Sequence, residues 1–130
     1  MAEPMGQPSP ILDIRVTRAG DVLVVGVTGE LDMDTAPEVR AVIVSGLVER
    51  PSALVLDLTG VGFFSSAGLS LLLEARRRID TLAVVANGRA VLRPIQLTSI
   101  AALLTVFPSV DEALTWISTT QSVHQADRRG

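Results

Sequence analysis

Leu54-Val55-Leu56-Asp57-Leu58-Thr59-Gly60-Val61-Gly62-Phe63-Phe64-Ser65-Ser66-Ala67-Gly68-Leu69 is the stretch on which the rest of the chain turns. Leu54 to Leu58 is an apolar run of strand length, and Leu69 to Arg78 has helical spacing. Thr59 to Gly68 between them reads as a glycine-punctuated loop that closes on two serines. Strand, loop and helix in that order make half of a β-α-β unit. A helix that starts at the serines sets free backbone N–H groups and the positive end of its dipole beside two hydroxyls. That suits a phosphate.

Toward the N-terminus, Leu12, Ile14 and Val16 alternate with Asp13, Arg15 and Thr17, as in a strand with one wet face. Ala19-Gly20-Asp21 turns the chain into a more central strand, Val22 to Thr28, which completes a β-hairpin. Gly29 to Asp34 reads as a loop carrying Glu30, Asp32 and Asp34. Thr35-Ala36-Pro37-Glu38 matches a capping box, with Thr35 as N-cap and Pro37 in the first turn. Val39, Val42, Ile43 and Leu47 form the apolar stripe of that helix, which Arg50-Pro51 ends.

Toward the C-terminus, Leu69, Leu72 and Leu73 are expected to face the core, with Glu74 and Arg76 to Arg78 in water. Leu82 to Ala86 reads as a buried strand parallel to Leu54–Leu58, because the intervening helix supplies a crossover. After the Asn87-Gly88 turn come a short helix, Ala90 to Ser99, with Pro94 in its early part, and a short strand, Leu103 to Phe107. Ser109 and Glu112 form a second capping box ahead of a helix with the stripe Val110, Ala113, Leu114 and Ile117. Trp116 falls off that stripe and reads as a flank of the core. The expectation is one domain over residues 11–118, a disordered segment 1–10 and a flexible polar tail 119–130.

Composition narrows the function. At 130 residues, 48 % apolar and 19 % charged, the chain can build one real core. The absence of cysteine removes disulfides, thiolate ligands and cysteine nucleophiles, and His124 is the single histidine. A Ser-His-Asp triad or a multi-histidine metal centre is therefore not expected. A net charge of −3, with three Phe, one Trp and no Tyr, argues against nucleic-acid binding and base stacking. No segment has the length of a membrane span, and the N-terminus lacks a signal-peptide pattern, so a soluble cytoplasmic protein is expected.

At its centre the chain resembles the STAS domains of anti-sigma factor antagonists. Asp57 to Leu69 carries the resemblance, supported by Gly29-Glu30-Leu31-Asp32 before the first helix and Phe107-Pro108-Ser109 before the last. The resemblance implies an α/β fold, a mixed sheet of four to five strands packed with about four helices. It also implies partner switching. The antagonist binds an anti-sigma factor with serine kinase activity and so frees a sigma factor; phosphorylation of a serine at the start of the second helix releases it, and a serine phosphatase resets it. Carried onto this chain, the acceptor is Ser66, with Ser65 as alternative. The implied partner surface comprises Asp32, Asp34, Thr35, Phe64, Ser65, Ser66 and Gly68. The family often has aspartate directly before the acceptor; Ser65 stands there in this chain, which removes a charge and adds a hydroxyl.

Blander readings accompany these. A serine is a preferred N-cap, so Ser65 can cap while Ser66 is displayed. The three acids serve as a partner rim or a solvated loop, and no further ligand points to a metal. Asp57, near a strand end, is either functional or simply bonds loop amides. Gly60, Gly62 and Gly68 lack the Gly-Lys-Ser/Thr of a phosphate-cradling loop, and Gly68 suits close helix–sheet packing. Gly-x-Ser-x-Gly is absent and no general base flanks the serines, so catalysis, cofactors and metals are not expected. The alternative function is a non-phosphorylated STAS subunit of a transport or signalling assembly, docked constitutively on a protein.

Overall fold

The computed structural model describes residues 12–129, with side chains described as far as Gln121. The expected disordered segment 1–10 lies outside the described residues. Strands β1 (Leu12–Ala19) and β2 (Val22–Leu31) form the hairpin, with Leu12 opposite Gly29 and Ala19 opposite Val22. Strands β3 (Ala53–Phe64), β4 (Leu82–Val85) and β5 (Val106–Phe107) follow in parallel, giving one five-stranded sheet ordered β1-β2-β3-β4-β5. Helices α1 (Ala36–Leu47), α2 (Ser66–Arg78) and α3 (Arg89–Gln96) supply the crossovers, and α4 (Val110–Arg129) closes the chain.

Strand alternation divides the core into two layers. Leu54, Leu56 and Leu58 of β3 join Val39 and Ile43 of α1, Leu71, Leu72 and Ala75 of α2, and Val91 and Ile95 of α3. Ala53 and Val55 point the other way, toward Ala113 and Ile117 of α4, with Trp116 packed against that layer. Trp116 lies 5.4 Å from Phe107, ring to ring, as the flank reading requires.

Several expectations are corrected. The glycine-rich segment after Leu58 is strand: β3 runs to Phe64 and β2 to Leu31, and the two stay paired to their ends apart from two irregularities. Two register shifts place an extra β3 residue in each of two steps, Gly26/Thr28 opposite Asp57/Gly60 and Gly29/Glu30 opposite Val61/Phe63. Inward residues therefore fall three apart, at Leu58, Val61 and Phe64, and the period of two vanishes from the sequence. Since β4 pairs only with Leu54 to Asp57, the outer half of β3 and the end of β2 project beyond β4 as a ribbon, which β1 flanks as far as Gly29.

In α2 the buried face is Gly68, Leu71, Leu72 and Ala75, while Leu69 is only partly buried. The small residues Gly68 and Ala75 hold positions that a search for large apolar side chains passes over. Helix α3 spans Arg89–Gln96 with Pro94 in its last turn; Pro94 supplies no backbone donor, and the Thr98 hydroxyl donates to the Pro94 and Ile95 carbonyls where the helix stops. Leu103 belongs to a 3₁₀ turn, Ser99–Leu103, so β5 is limited to Val106–Phe107. From Thr119 the polar segment is helical, α4 continuing to Arg129. Gln121 donates to the Ser52 carbonyl at 3.3 Å, and no Gly or Pro interrupts the helix before Gly130. Among the described residues no helix is long and apolar enough to cross a membrane.

Candidate functional site

The ribbon ends with Leu31 opposite Phe64, and the Ser65 N–H donates to the Leu31 carbonyl at 3.0 Å. From that point the two chains diverge, one through 32–35 into α1 and the other through Ser65 into α2. The two helix N-termini thus open side by side at one end of the sheet. Farther along, the Glu74 carboxylate ties the helices together. It accepts from Arg40 Nε of α1 at 2.7 Å and from Arg78 of its own helix at 2.8 and 3.1 Å. Hydrogen bonds from Arg40 and then Arg78 hold the Glu74 carboxyl below its ordinary value, against a smaller opposing effect of burial.

Thr35 is the N-cap residue of α1, as expected, but Asp32 supplies the side-chain bonds at the entry to the helix. Asp32 Oδ1 accepts from the Asp34 N–H at 2.9 Å and the Thr35 N–H at 3.1 Å, and its carbonyl accepts from the Ala36 N–H at 2.8 Å. The expected Thr35–Glu38 capping box does not form: Thr35 has helical backbone angles and makes no side-chain cap bond. Its hydroxyl instead donates to the Glu30 carbonyl at 2.8 Å and accepts from the Asp32 N–H at 2.9 Å. Thr35 is 5 % exposed, so it braces the loop from within rather than presenting a surface to a partner.

On the other side, Ser65 is the N-cap of α2. Its backbone is extended and its Oγ accepts from the Ala67 N–H at 3.2 Å. Ser66 takes the first helical position and is exposed, and among the described residues its hydroxyl has no hydrogen-bond partner. The sequence reading of one serine capping and the other displayed matches this geometry. Asp57 accepts from the Thr59 N–H and hydroxyl, at 3.1 and 2.8 Å, which matches the local one of its two readings.

Of the other residues assigned to the partner surface, Asp34 is exposed and Asp32 half-buried beside it. Phe64 is not on the surface. The second register shift turns it inward, where it packs in the core with Leu31. Gly68 is buried as well, and a side chain there would meet the Phe64 ring at 2.6 Å. Both residues shape the site from below. The exposed apolar groups beside the serines and acids are Phe63, 52 % exposed, and Met33, 78 % exposed. Sequence reasoning passed over both. For Phe63 the signal was present, because adjacent strand residues point to opposite faces and the Phe63-Phe64 pair must send one ring outward.

The site is thus a displayed hydroxyl at a helix start, bordered by Asp34 and Asp32 and by two exposed apolar side chains. None of the described pockets is lined by these residues. Comparison with known proteins agrees with the architecture. A family model described as STAS domain matches residues 13–113. The anti-sigma-F factor antagonist RsfB of Mycobacterium tuberculosis is 32 % identical over 116 residues, covering 87 % of this chain and 94 % of that protein. The crystal structure of an anti-sigma factor antagonist from Mycobacterium paratuberculosis superposes with a TM-score of 0.79 at 36 % identity, over 82 % of this chain and 94 % of that one. The antagonist SpoIIAA in its unphosphorylated form shares the fold, with a TM-score of 0.70 at 16 % identity over 82 % and 97 % of the two chains. With the five-stranded mixed sheet, the four helices and the strand-to-helix junction at Ser65-Ser66 all in place, the chain belongs to the STAS domain family.

Proposed function

We propose that this chain is an anti-sigma factor antagonist. It binds an anti-sigma factor that is also a serine kinase, and phosphorylation of Ser66 breaks the complex. The relatives named as anti-sigma factor antagonists support the first part. The observation that carries the second is the division of labour between the serines: Ser65 Oγ is committed to the Ala67 N–H, whereas Ser66 is exposed at the first position of α2.

A phosphate on Ser66 adds close to two negative charges at the positive end of α2, so the fold tolerates it. The same dianion stands at a surface bordered by Asp34 and Asp32, directly under any partner packed on the hydroxyl. Binding weakens while folding does not. In this reading ATP belongs to the kinase partner, a serine phosphatase restores the hydroxyl, and the chain itself catalyses nothing and works in the cytoplasm. Phe63 and Met33 supply the apolar part of the contact.

The test combines phosphosite mapping of the protein from its own cells with binding of variants to the cognate anti-sigma factor. Ser66→Ala should retain affinity and Ser66→Asp should lose roughly tenfold or more. Equal affinity of the two variants, or the absence of phosphate from Ser66 under every growth and stress condition, would overturn the switch.

A further inference from the structure

Strand β1 is an edge. It pairs with β2 on one side, and among the described residues nothing pairs with its other side. Such an edge offers an unpaired row of backbone donors and acceptors. Its side chains alternate, with Leu12, Ile14 and Val16 on one face and Asp13, Arg15 and Thr17 on the other. Leu12 and Ile14 reach the core of their own chain, but Val16 remains 51 % exposed beside a recess of about 470 Å³ between β1 and α1. Arg15 Nε lies 3.4 Å from Asp13 Oδ2, with both side chains open to solvent.

We propose that this edge pairs antiparallel with β1 of a second copy, about a two-fold axis passing through Ile14. A two-fold axis perpendicular to the sheet keeps each face continuous, so residues of like parity must stand opposite one another. Centred on Ile14, the pairing sets Asp13 against the second copy's Arg15 and Leu12 against its Val16. Each carboxylate then lies between two guanidinium groups, and each Val16 gains an apolar neighbour at the mouth of the recess. The adjacent registers are poor: one centred on Asp13 opposes two carboxylates, and one centred on Arg15 opposes two guanidinium groups and sets Leu12 against Arg18. Like charges directly opposite are destabilising, so a single register is selected. The sequence Leu12-Asp13-Ile14-Arg15-Val16 is complementary to itself, which points to a second copy of this chain as the occupant. The two sheets become one, and the Ser66 surface of each copy stays open.

Sedimentation velocity on the full chain over a wide concentration range tests this. The wild type should show a monomer–dimer equilibrium. Arg15→Asp and Asp13→Arg should each raise the dimer dissociation constant roughly tenfold or more by placing like charges opposite one another. The double variant carrying both changes should restore association. Circular dichroism checks that each variant is folded, as expected for exposed positions. A wild type that stays monomeric at every concentration, a dimer indifferent to the single reversals, or a double variant that remains monomeric would overturn the proposal.

Discussion

The Phe64 ring occupies the space that a side chain on Gly68 would need: a Cβ there would stand 2.6 Å from Cε1 and 2.8 Å from Cδ1. An aromatic ring that is 6 % exposed has little room to retreat. Gly68→Ala would gain about 1 kcal/mol in helix propensity but incur about 1–3 kcal/mol of overpacking. The expected result is a net loss of stability in thermal or denaturant unfolding. Adding Phe64→Leu should recover part of it, because the ring is the obstacle; failure of that rescue would assign the loss to another cause.

Thr35→Val keeps the shape of a buried side chain and removes its hydroxyl. The Glu30 carbonyl and the Asp32 N–H would both lose their partner. A loss of about 1–3 kcal/mol is expected in denaturant unfolding. Thr35→Ser retains both bonds and should cost clearly less.

The two serines should separate in a stability assay. Ser65→Ala removes the N-cap of α2 and is expected to cost about 1 kcal/mol. Ser66→Ala touches nothing and should stay within about 0.5 kcal/mol of wild type. Equal melting temperatures for the two variants would contradict the roles assigned to the hydroxyls.

Glu74 has a carboxyl held below the ordinary 4.5 by Arg40 and Arg78, so it binds its proton less readily in the folded chain than in the unfolded one. Its contribution is therefore fully present above about pH 4.5 and lost as the pH falls below that value. The group is partly exposed, with 23 % of its side-chain surface accessible, so the contribution should stay under about 1 kcal/mol. Glu74→Gln should lower the melting temperature slightly at pH 7, and the difference from wild type should close as the pH is taken toward 3.

Much of this architecture is legible in the residues. The alternation of Leu12 to Thr17 and the stripe through Val39 and Ile43 each carry one clean period, the apolar runs at Val22 and Leu54 have the length of buried strands, and each element appears where its pattern puts it. The displayed Ser66 and the capping Ser65 were legible too, because a strand-to-helix junction has few places for two hydroxyls. The outer half of β3 was not. Its inward residues come three apart, at Leu58, Val61 and Phe64, a spacing that fits neither the strand period nor a helical stripe. Losing that strand led to the assignment of Phe64 to the surface in place of Phe63. The Thr35 capping box failed for a different reason. Two good caps stand three residues apart, and sequence alone does not say that Asp32 collects the amides and frees the threonine hydroxyl for Glu30.

The two register shifts in the ribbon also act together as a phase correction. Between Asp57 and Phe64 the chain of β3 advances seven residues while β2 advances five, from Gly26 to Leu31. One surplus residue would exchange the inner and outer rows of everything that follows, and the second exchanges them back. The ribbon is therefore a ruler graduated in pairs. Lengthening or shortening it by a single residue would bring Phe63 inward, turn Phe64 outward and rotate the start of α2 away from its neighbour, whereas a change of two residues would preserve the facing of both serines and alter only their reach.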